Sequence, residues 1–530
     1  MKNKQYLIGW VCFLLFFVFC GFAKPALAAP SKHVLLVYDS LNIAGKKEND
    51  VDALQRVLTS FGVEVQSVAV SDYVPGELLN DGYDSLISMV NWPEQAGVIA
   101  SDFLADRVHF KGKQLHIGRN MRDDEKQYFS GTWKELSHRQ YRLEDEKNRF
   151  SQVLPFQDQS VVLENTQGQT VGRLKTQELA PEEYPFGVIE NGHAFLPMFE
   201  RKGAVFLESL DVISQWLESE KMSRPFLTIS DFNPLRDMSV ATYLQEELVK
   251  TTYPYILSST SVSQNNTILP YKLFTNALRA FASTGVIFLE TPVVNNVDLN
   301  DQRALKQLME QQISLLVDRH VYPVGISAPG YWNQDLQYQE DGLAISDTVI
   351  LRENPPIERV FYRNQTGESI TYKNALFDLP YDYLSGIEWT DKDNPNDYRF
   401  PMPTTISFSF PNSKKEVDHL IQEVKEAPIV FSVSEADQHF TVQTQTQKIE
   451  FRNNRFFLNN QIVNGLADTG ASTVEKQRFT GLFSFFFSIT NNILIGVVTL
   501  TLIILIILFM IGRKNYRSKY INMICQIKLE

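Results

Sequence analysis

Regular patterning begins with a short apolar run, HVLLVY, at His33–Tyr38. Helical spacing follows over Asn49–Phe61, where Val51, Leu54, Val57 and Leu58 fall on one face. Val63–Val68, Ser85–Val90 and Gln114–Ile117 read as further strands, so strand and helix alternate across residues 31–148. That alternation predicts a parallel doubly wound sheet. The pattern then shortens: Ser160–Leu163, Val171–Leu174 and Ala204–Leu207 are split by Gly, Pro and Asn, which predicts antiparallel strands in a β-rich connecting region over 149–222. Alternation of strands and helices resumes over 223–436. Strands are expected at Phe226–Ile229, Tyr255–Ser258, Val286–Leu289, Pro323–Ser327, Thr348–Leu351, Thr405–Phe410 and Ile429–Val433. Helices are expected at Val240–Val249, Tyr271–Phe281, Gln302–Val317 and Lys414–Val424. Seven strands with crossovers suffice for a distorted (β/α)7 barrel. Phe440–Val463 alternates around Asn453-Asn454 and Asn459-Asn460, a β appendage over 437–465, and a polar linker spans 466–492.

The two ends carry a different pattern. Lys2 and Lys4 precede an apolar stretch from Tyr6 to Phe22, and Ala26-Leu27-Ala28 has A-x-A spacing. This order is expected of a secretory signal peptide over 1–28, with an uncleaved anchor as the alternative. Residues 493–512 carry no charge and would reach about 30 Å as a helix. Arg513, Lys514, Arg517 and Lys519 follow. A single transmembrane helix is therefore expected, with a cytoplasmic tail over 513–530 and the bulk of the chain outside the cell membrane.

Charge narrows the partners. With 62 acidic and 50 basic residues the chain carries −12. Lys2, Lys4, Lys24 and the basic tail lie outside the body, which is more acidic still. A nucleic-acid partner, which needs a basic face, is excluded on that balance; a neutral or cationic glycan is compatible. Cys12, Cys20 and Cys525 all fall in the two ends, so the body has no disulfide, thiolate nucleophile or cysteine metal site. A cysteine-free exported body fits a Gram-positive source.

In the first sheet, Asp39 and Asn91 follow strands and face the default ligand crevice. No G-x-G-x-x-G or P-loop accompanies them, so this flavodoxin-like or amidotransferase-like module gives no support to a nucleotide site. Four segments of the second α/β region carry more. LTISDFNP (Leu227–Pro234), KTTYPYILSST (Lys250–Thr260), VIFLETPVVNN (Val286–Asn296) and YPVGISAPGYW (Tyr322–Trp332) occur in that order. Together they resemble the strand motifs of the NodB-homology polysaccharide deacetylases, closest to an exported bacterial branch of exopolysaccharide loci. The resemblance covers Arg224–Val433.

That resemblance implies a deacetylase barrel with zinc held by one Asp and two His, and a second Asp as base. Asp231 matches the metal-ligand Asp. Ser230 stands where the base belongs, and a serine hydroxyl is no general base without activation. Glu290 and Val294 stand where the two histidines belong. None of the eight histidines lies three or four residues from another. No metal site is therefore expected, although the family implies zinc. Phe232, Asn233, Tyr331, Trp332 and Asn333 follow strands at the ligand-bearing end and could stack on or hydrogen-bond a sugar. Asp231, Glu290, Asp335 and Glu340 could supply a carboxylate pair for glycoside hydrolysis.

These readings lead to a membrane-anchored, extracytoplasmic, deacetylase-like protein that has lost catalysis. It would bind or guide a cell-surface exopolysaccharide of a biofilm matrix, alongside synthesis and export proteins. An active carbohydrate esterase or hydrolase with a non-standard site is the alternative. An adhesion or assembly module without a glycan ligand is a second.

Overall fold

A computed structural model describes residues 32–39, 50–92, 100–251, 253–292, 304–355, 364–390, 398–433, 439–463 and 499–514. The expected signal peptide and linker, and Val294, lie outside them. Two compact units result, residues 1–466 and 467–530.

Strands β1 (Lys32–Tyr38), β2 (Val63–Ala69), β3 (Ser85–Met89) and β4 (Lys113–Ile117) pair in parallel, as the alternation predicts. Helices α1 (Asp50–Ser60) and α2 (Ser101–His109) connect them. The next strands are antiparallel: β5 (Thr132–Arg139), β6 (Tyr141–Glu144), β7 (Phe150–Val153), β8 (Gln157–Glu164), β9 (Gln169–Thr176), β10 (Glu183–Glu190) and β11 (His193–Leu196). β5 and β8 form a separate ribbon, while β11 docks in parallel on β4 and carries β10, β9, β6 and β7 outward. The two regions thus share one continuous sheet. Ala204–Leu207, expected as a strand, begins α3 (Gly203–Trp216). This helix is buried on nearly every face, and a short apolar run that is buried all round carries no period by which to tell helix from strand.

The second α/β region closes as a barrel of parallel strands: β12 (Phe226–Phe232), β13 (Tyr255–Ser259), β14 (Val286–Glu290), β15 (Pro323–Pro329), β16 (Thr348–Arg352), β18 (Asn374–Pro380) and β20 (Thr404–Ser409). Between them fall two-residue strands β17 (Glu368–Ser369) and β19 (Glu388–Trp389). The helices are α4 (Met238–Thr251), α5 (Leu269–Ala282), α6 (Ala304–Val317), α7 (Leu336–Asp341) and α8 (Lys414–Lys425). Seven strands are present, but one differs from expectation. Ile429–Val433 forms no strand; β18, whose Asn374, Asp378 and Pro380 interrupt its apolar pattern, takes the place.

Barrel and sheet share a core. The polar face of α1, which amphipathic spacing assigns to solvent, is buried against β16 and β18. Arg56 pairs with Asp52 at 2.9 Å, donates to the carbonyls of Leu351 and Asp378, and lies 4.7 Å from the Phe377 ring centroid. Gly330 is needed here because a Cβ would strike the Asp52 carboxylate. Phe206 of α3 stacks on Phe377 at 5.2 Å. Two helices of the first region therefore cover barrel strands. In return β17 pairs with β2 and β19 with β7, closing both edges of the eleven-stranded sheet.

The appendage is a four-stranded antiparallel sheet, β21 (His439–Gln443), β22 (Lys448–Arg452), β23 (Arg455–Leu458) and β24 (Gln461–Ile462). Its Asn453-Asn454 and Asn459-Asn460 turns have all four φ between 49° and 67°, the left-handed pairs of tight hairpins. Phe440 meets Phe288 of β14 edge-on at 5.5 Å, and Asp347, just before β16, bonds the Thr441 backbone. The appendage thus packs at the end of the barrel opposite the strands' carboxyl termini.

The expected transmembrane helix over 493–512, and the single-pass membrane placement built on it, need correction. The described helix of the second unit runs from 499 to 514. That is about 24 Å against a ~30 Å hydrocarbon core. Among the described residues no helix is long and apolar enough to cross a membrane.

Candidate functional site

β12 ends irregularly. Its register with β13 slips between Ile229 and Phe232, and Asp231 in the slip adopts φ +66°. Left-handed backbone at a non-glycine residue costs about 1–2 kcal/mol, least for Asn and Asp. The slip turns Phe232 into the core, where it is fully buried among Phe274, Phe281 and Phe410. Asn233 closes the turn, accepting from the Leu235 amide at 3.0 Å and donating to the Asp231 carbonyl at 3.2 Å.

Register sets the rest of the mouth. Glu290 pairs with Ser327 and Pro329 with Arg352, and cross-strand partners share a face. Glu290 and Arg352, at the last positions of β14 and β16, therefore meet over the mouth. Arg352 Nη2 donates to Asp231 Oδ1 at 2.8 Å, and Nη1 lies 3.0 Å from Glu290 Oε1. Glu290 also accepts from the Asp231 amide at 2.9 Å and from Thr260 Oγ1 at 2.7 Å. Ser230 Oγ donates to Asp231 Oδ2 at 3.2 Å. Asp378, 4% exposed, accepts from Thr405 Oγ1 at 3.0 Å.

The electrostatics follow from this packing. Burial pushes the Asp231 carboxyl up, but Arg352 and the hydroxyls of Ser230 and Ser409 outweigh it and hold the group below its usual range. Burial pushes the Asp378 carboxyl above its usual range; Arg352, Ser407 and Thr405 offset this in part. Arg352 itself is held charged: burial opposes this, and Glu290 and Asp231 prevail. A carboxylate held low is a poor general base, so Asp231 is weakly equipped to activate the Ser230 hydroxyl.

The cluster is a compensated ion triad. Its donor set does not fit zinc: the two oxygen ligands are already bridged by a guanidinium, and neither Ser230 nor Thr260 is a customary ligand. Sequence reasoning reached Ser230, Asp231 and Glu290, which the fold brings together. It passed over Arg352 and Asp378. The available signal was a single basic residue closing the apolar run TVILR, and an aspartate inside the apolar stretch ALFDLP.

The other sequence candidates are placed elsewhere. Tyr331, Trp332 and Asn333 are 5%, 1% and 2% exposed. Trp332 stacks on Tyr338 at 4.5 Å, and Asn333 joins the Ile370 carbonyl to the Tyr372 hydroxyl. No ring face there is open to a sugar. Asp335, fully buried, caps α7 through the amides of Gln337 and Tyr338, while Glu340 is exposed. In the first sheet, Asp39 accepts from the Trp92 amide at 2.6 Å and Asn91 from the Arg119 amide at 2.6 Å. Both tie strand ends together. His116 is a satisfied core histidine, between Glu125 at 2.9 Å and the Arg119 carbonyl at 2.7 Å.

A second feature of the mouth is a cleft of about 400 Å³ between Arg352, the turn after β18 and helix α8.

No protein-family model matches the chain, and no curated protein does. Among solved structures it is similar to a peptidoglycan N-acetylglucosamine deacetylase in complex with 4-naphthalen-1-yl-N-oxidanyl-benzamide. The match has 12% identity and a TM-score of 0.22, over 41% of this chain and 92% of that one. The closed seven-strand parallel barrel is the fold that the motif resemblance implied.

Proposed function

We propose that this chain is a polysaccharide-binding protein on a deacetylase-like barrel, one that has exchanged metal-dependent hydrolysis for a fixed ion triad. In this reading it binds or guides an exopolysaccharide during synthesis and export, together with the proteins of that machinery. The observation that carries the proposal is the Arg352 guanidinium lying between Asp231 and Glu290, at 2.8 and 3.0 Å. By resemblance these two residues occupy ligand positions. A resident cation there offsets part of the negative charge that would attract a metal, and it lowers the basicity that deacetylation would require.

Metal analysis of the purified full-length chain after dialysis against trace zinc tests this directly. No retained zinc and no acetate release from N-acetylated oligosaccharides are expected. One zinc per chain, with acetate release abolished by Asp231→Ala, would overturn the proposal in favour of an active esterase. Absence of binding to any oligosaccharide would overturn it in favour of an assembly module.

A further inference from the structure

The cleft beside the ion triad has a lining of its own. Tyr381, in the turn after β18, stacks on Phe408 of β20 at 4.6 Å and 25°, forming an aromatic wall. Asp382 follows Tyr381, and α8 presents Glu416, His419 and Glu423 at helical spacing across the cleft. The 400 Å³ volume falls within the ~300–1,000 Å³ of small-molecule sites.

Most charges around the cleft are already engaged. Arg352 is held by Asp231 and Glu290, and Glu353 by Arg201 and the Tyr383 hydroxyl. Glu416 accepts from Asn412 and Ser413. Asp378, also in the lining, is buried and accepts from Thr405, which leaves the carboxylates of Asp382 and Glu423. Asp382 is exposed and makes no ion pair among the described residues, and Glu423 has only His419, at 3.9 Å. Burial, opposed by His419 and aided by Asp382, leaves the Glu423 carboxyl above its usual range. Burial, Glu423, Glu426 and Asp382 likewise raise the Tyr381 hydroxyl.

We infer that this cleft selects a sugar bearing a free amine, a de-N-acetylated hexosamine unit, with the pyranose against Tyr381 and its ammonium between Asp382 and Glu423. A neutral N-acetylated unit would cover the same two carboxylates without supplying a charge, leaving them desolvated and unpaired. An ammonium supplies both charge and donors. The inference rests on the polysaccharide-binding reading and adds the chemical state of the polymer to it.

Titration calorimetry on the full-length chain tests it, with glucosamine hexamer, N-acetylglucosamine hexamer and hexalysine as probes at matched ionic strength. The glucosamine hexamer is expected to bind at least tenfold tighter than the other two. Asp382→Asn/Glu423→Gln is expected to erase that preference; Tyr381→Ala should weaken both sugars and leave hexalysine unchanged. Tighter or equal binding of the N-acetylated hexamer overturns the amine selectivity and leaves polysaccharide binding standing. Equal binding of hexalysine reduces the effect to bulk charge and also overturns it. Silence from both sugars overturns the selectivity together with the reading beneath it.

Discussion

Replacing Arg352 by methionine keeps much of the side-chain volume and removes the cation from between Asp231 and Glu290. Breaking a fully buried ion pair in this way costs about 3–5 kcal/mol. Here the side chains of Arg352, Asp231 and Glu290 are 24%, 39% and 9% exposed, so water screens part of the loss. About 2–3 kcal/mol is expected at pH 7. The pH dependence is the sharper signature. In the wild type, burial opposes Arg352 and the neighbouring hydroxyls, yet the Asp231 carboxyl still sits low. That interaction contributes stability in full above the unfolded value of about 3.9, and it is lost as pH falls through the folded value. In the variant burial is opposed only by the Ser230 and Ser409 hydroxyls, the carboxyl moves up, and protonation on acidification relieves the strain. The stability gap should therefore shrink from about 2–3 kcal/mol at pH 7 to below ~1 kcal/mol near pH 3.5. Urea unfolding followed by tryptophan fluorescence reads both values. Arg352→Lys, which keeps charge without the forked geometry, should fall between. A gap that is equal at the two pH values, or under ~0.5 kcal/mol at pH 7, would show that Arg352 does not hold the triad.

Glu125 offers a second acid-range test. Burial pushes its carboxyl up, but His116 and Arg107 carry it down to about 2. Its contribution, up to ~3 kcal/mol, is complete above about 4.5 and disappears as pH drops towards 2. Urea midpoints of Glu125→Gln should accordingly be depressed at pH 6 and converge with wild type near pH 2; parallel curves would refute this. Glu208 has the opposite sign. Burial, Asp211 and Asp145 raise its carboxyl well above the usual range, so its contribution is complete below the unfolded value of about 4.5 and wild-type stability falls as pH rises from there through the folded value. Glu208→Gln mimics the neutral acid and does not titrate, so its urea midpoint should gain on wild type as pH rises above about 4.5. A difference from wild type that does not change with pH would refute the upward shift. Trp332→Ala should cost about 3–5 kcal/mol as a core truncation and leave the oligosaccharide affinity of the folded fraction unchanged. Loss of affinity at full folding would restore Trp332 as a sugar platform.

Where one physical signal dominated, the sequence was readable. Apolar runs with regular crossovers located six of the seven barrel strands, and paired asparagines located the appendage hairpins, because left-handed φ leaves few residue choices. The seventh strand escaped because Asp378 faces a guanidinium and hydroxyls rather than an apolar layer, so its polarity reads as a loop. α3 escaped for the converse reason, being apolar all round. In the site, Ser230, Asp231 and Glu290 were legible through motif position. Arg352 was not, since its role exists only when barrel closure brings the ends of β12, β14 and β16, alternate strands of the sheet, to one mouth. Tyr331 and Trp332 misled because an aromatic pair after a strand reads alike whether it is stacked on a neighbour or open to a ligand.

The sealed edges of the large sheet have a consequence in time. Gln66 of β2 donates to the Thr366 carbonyl, 300 residues further along the chain. At ~5–20 residues per second, a ribosome takes about 15–60 s to deliver that partner. Throughout this interval β2 is made but its edge is uncovered, open to pairing with another nascent chain. Changes in Glu368 or Ser369 should thus register less in the stability of the finished protein than in how much of it survives its own synthesis.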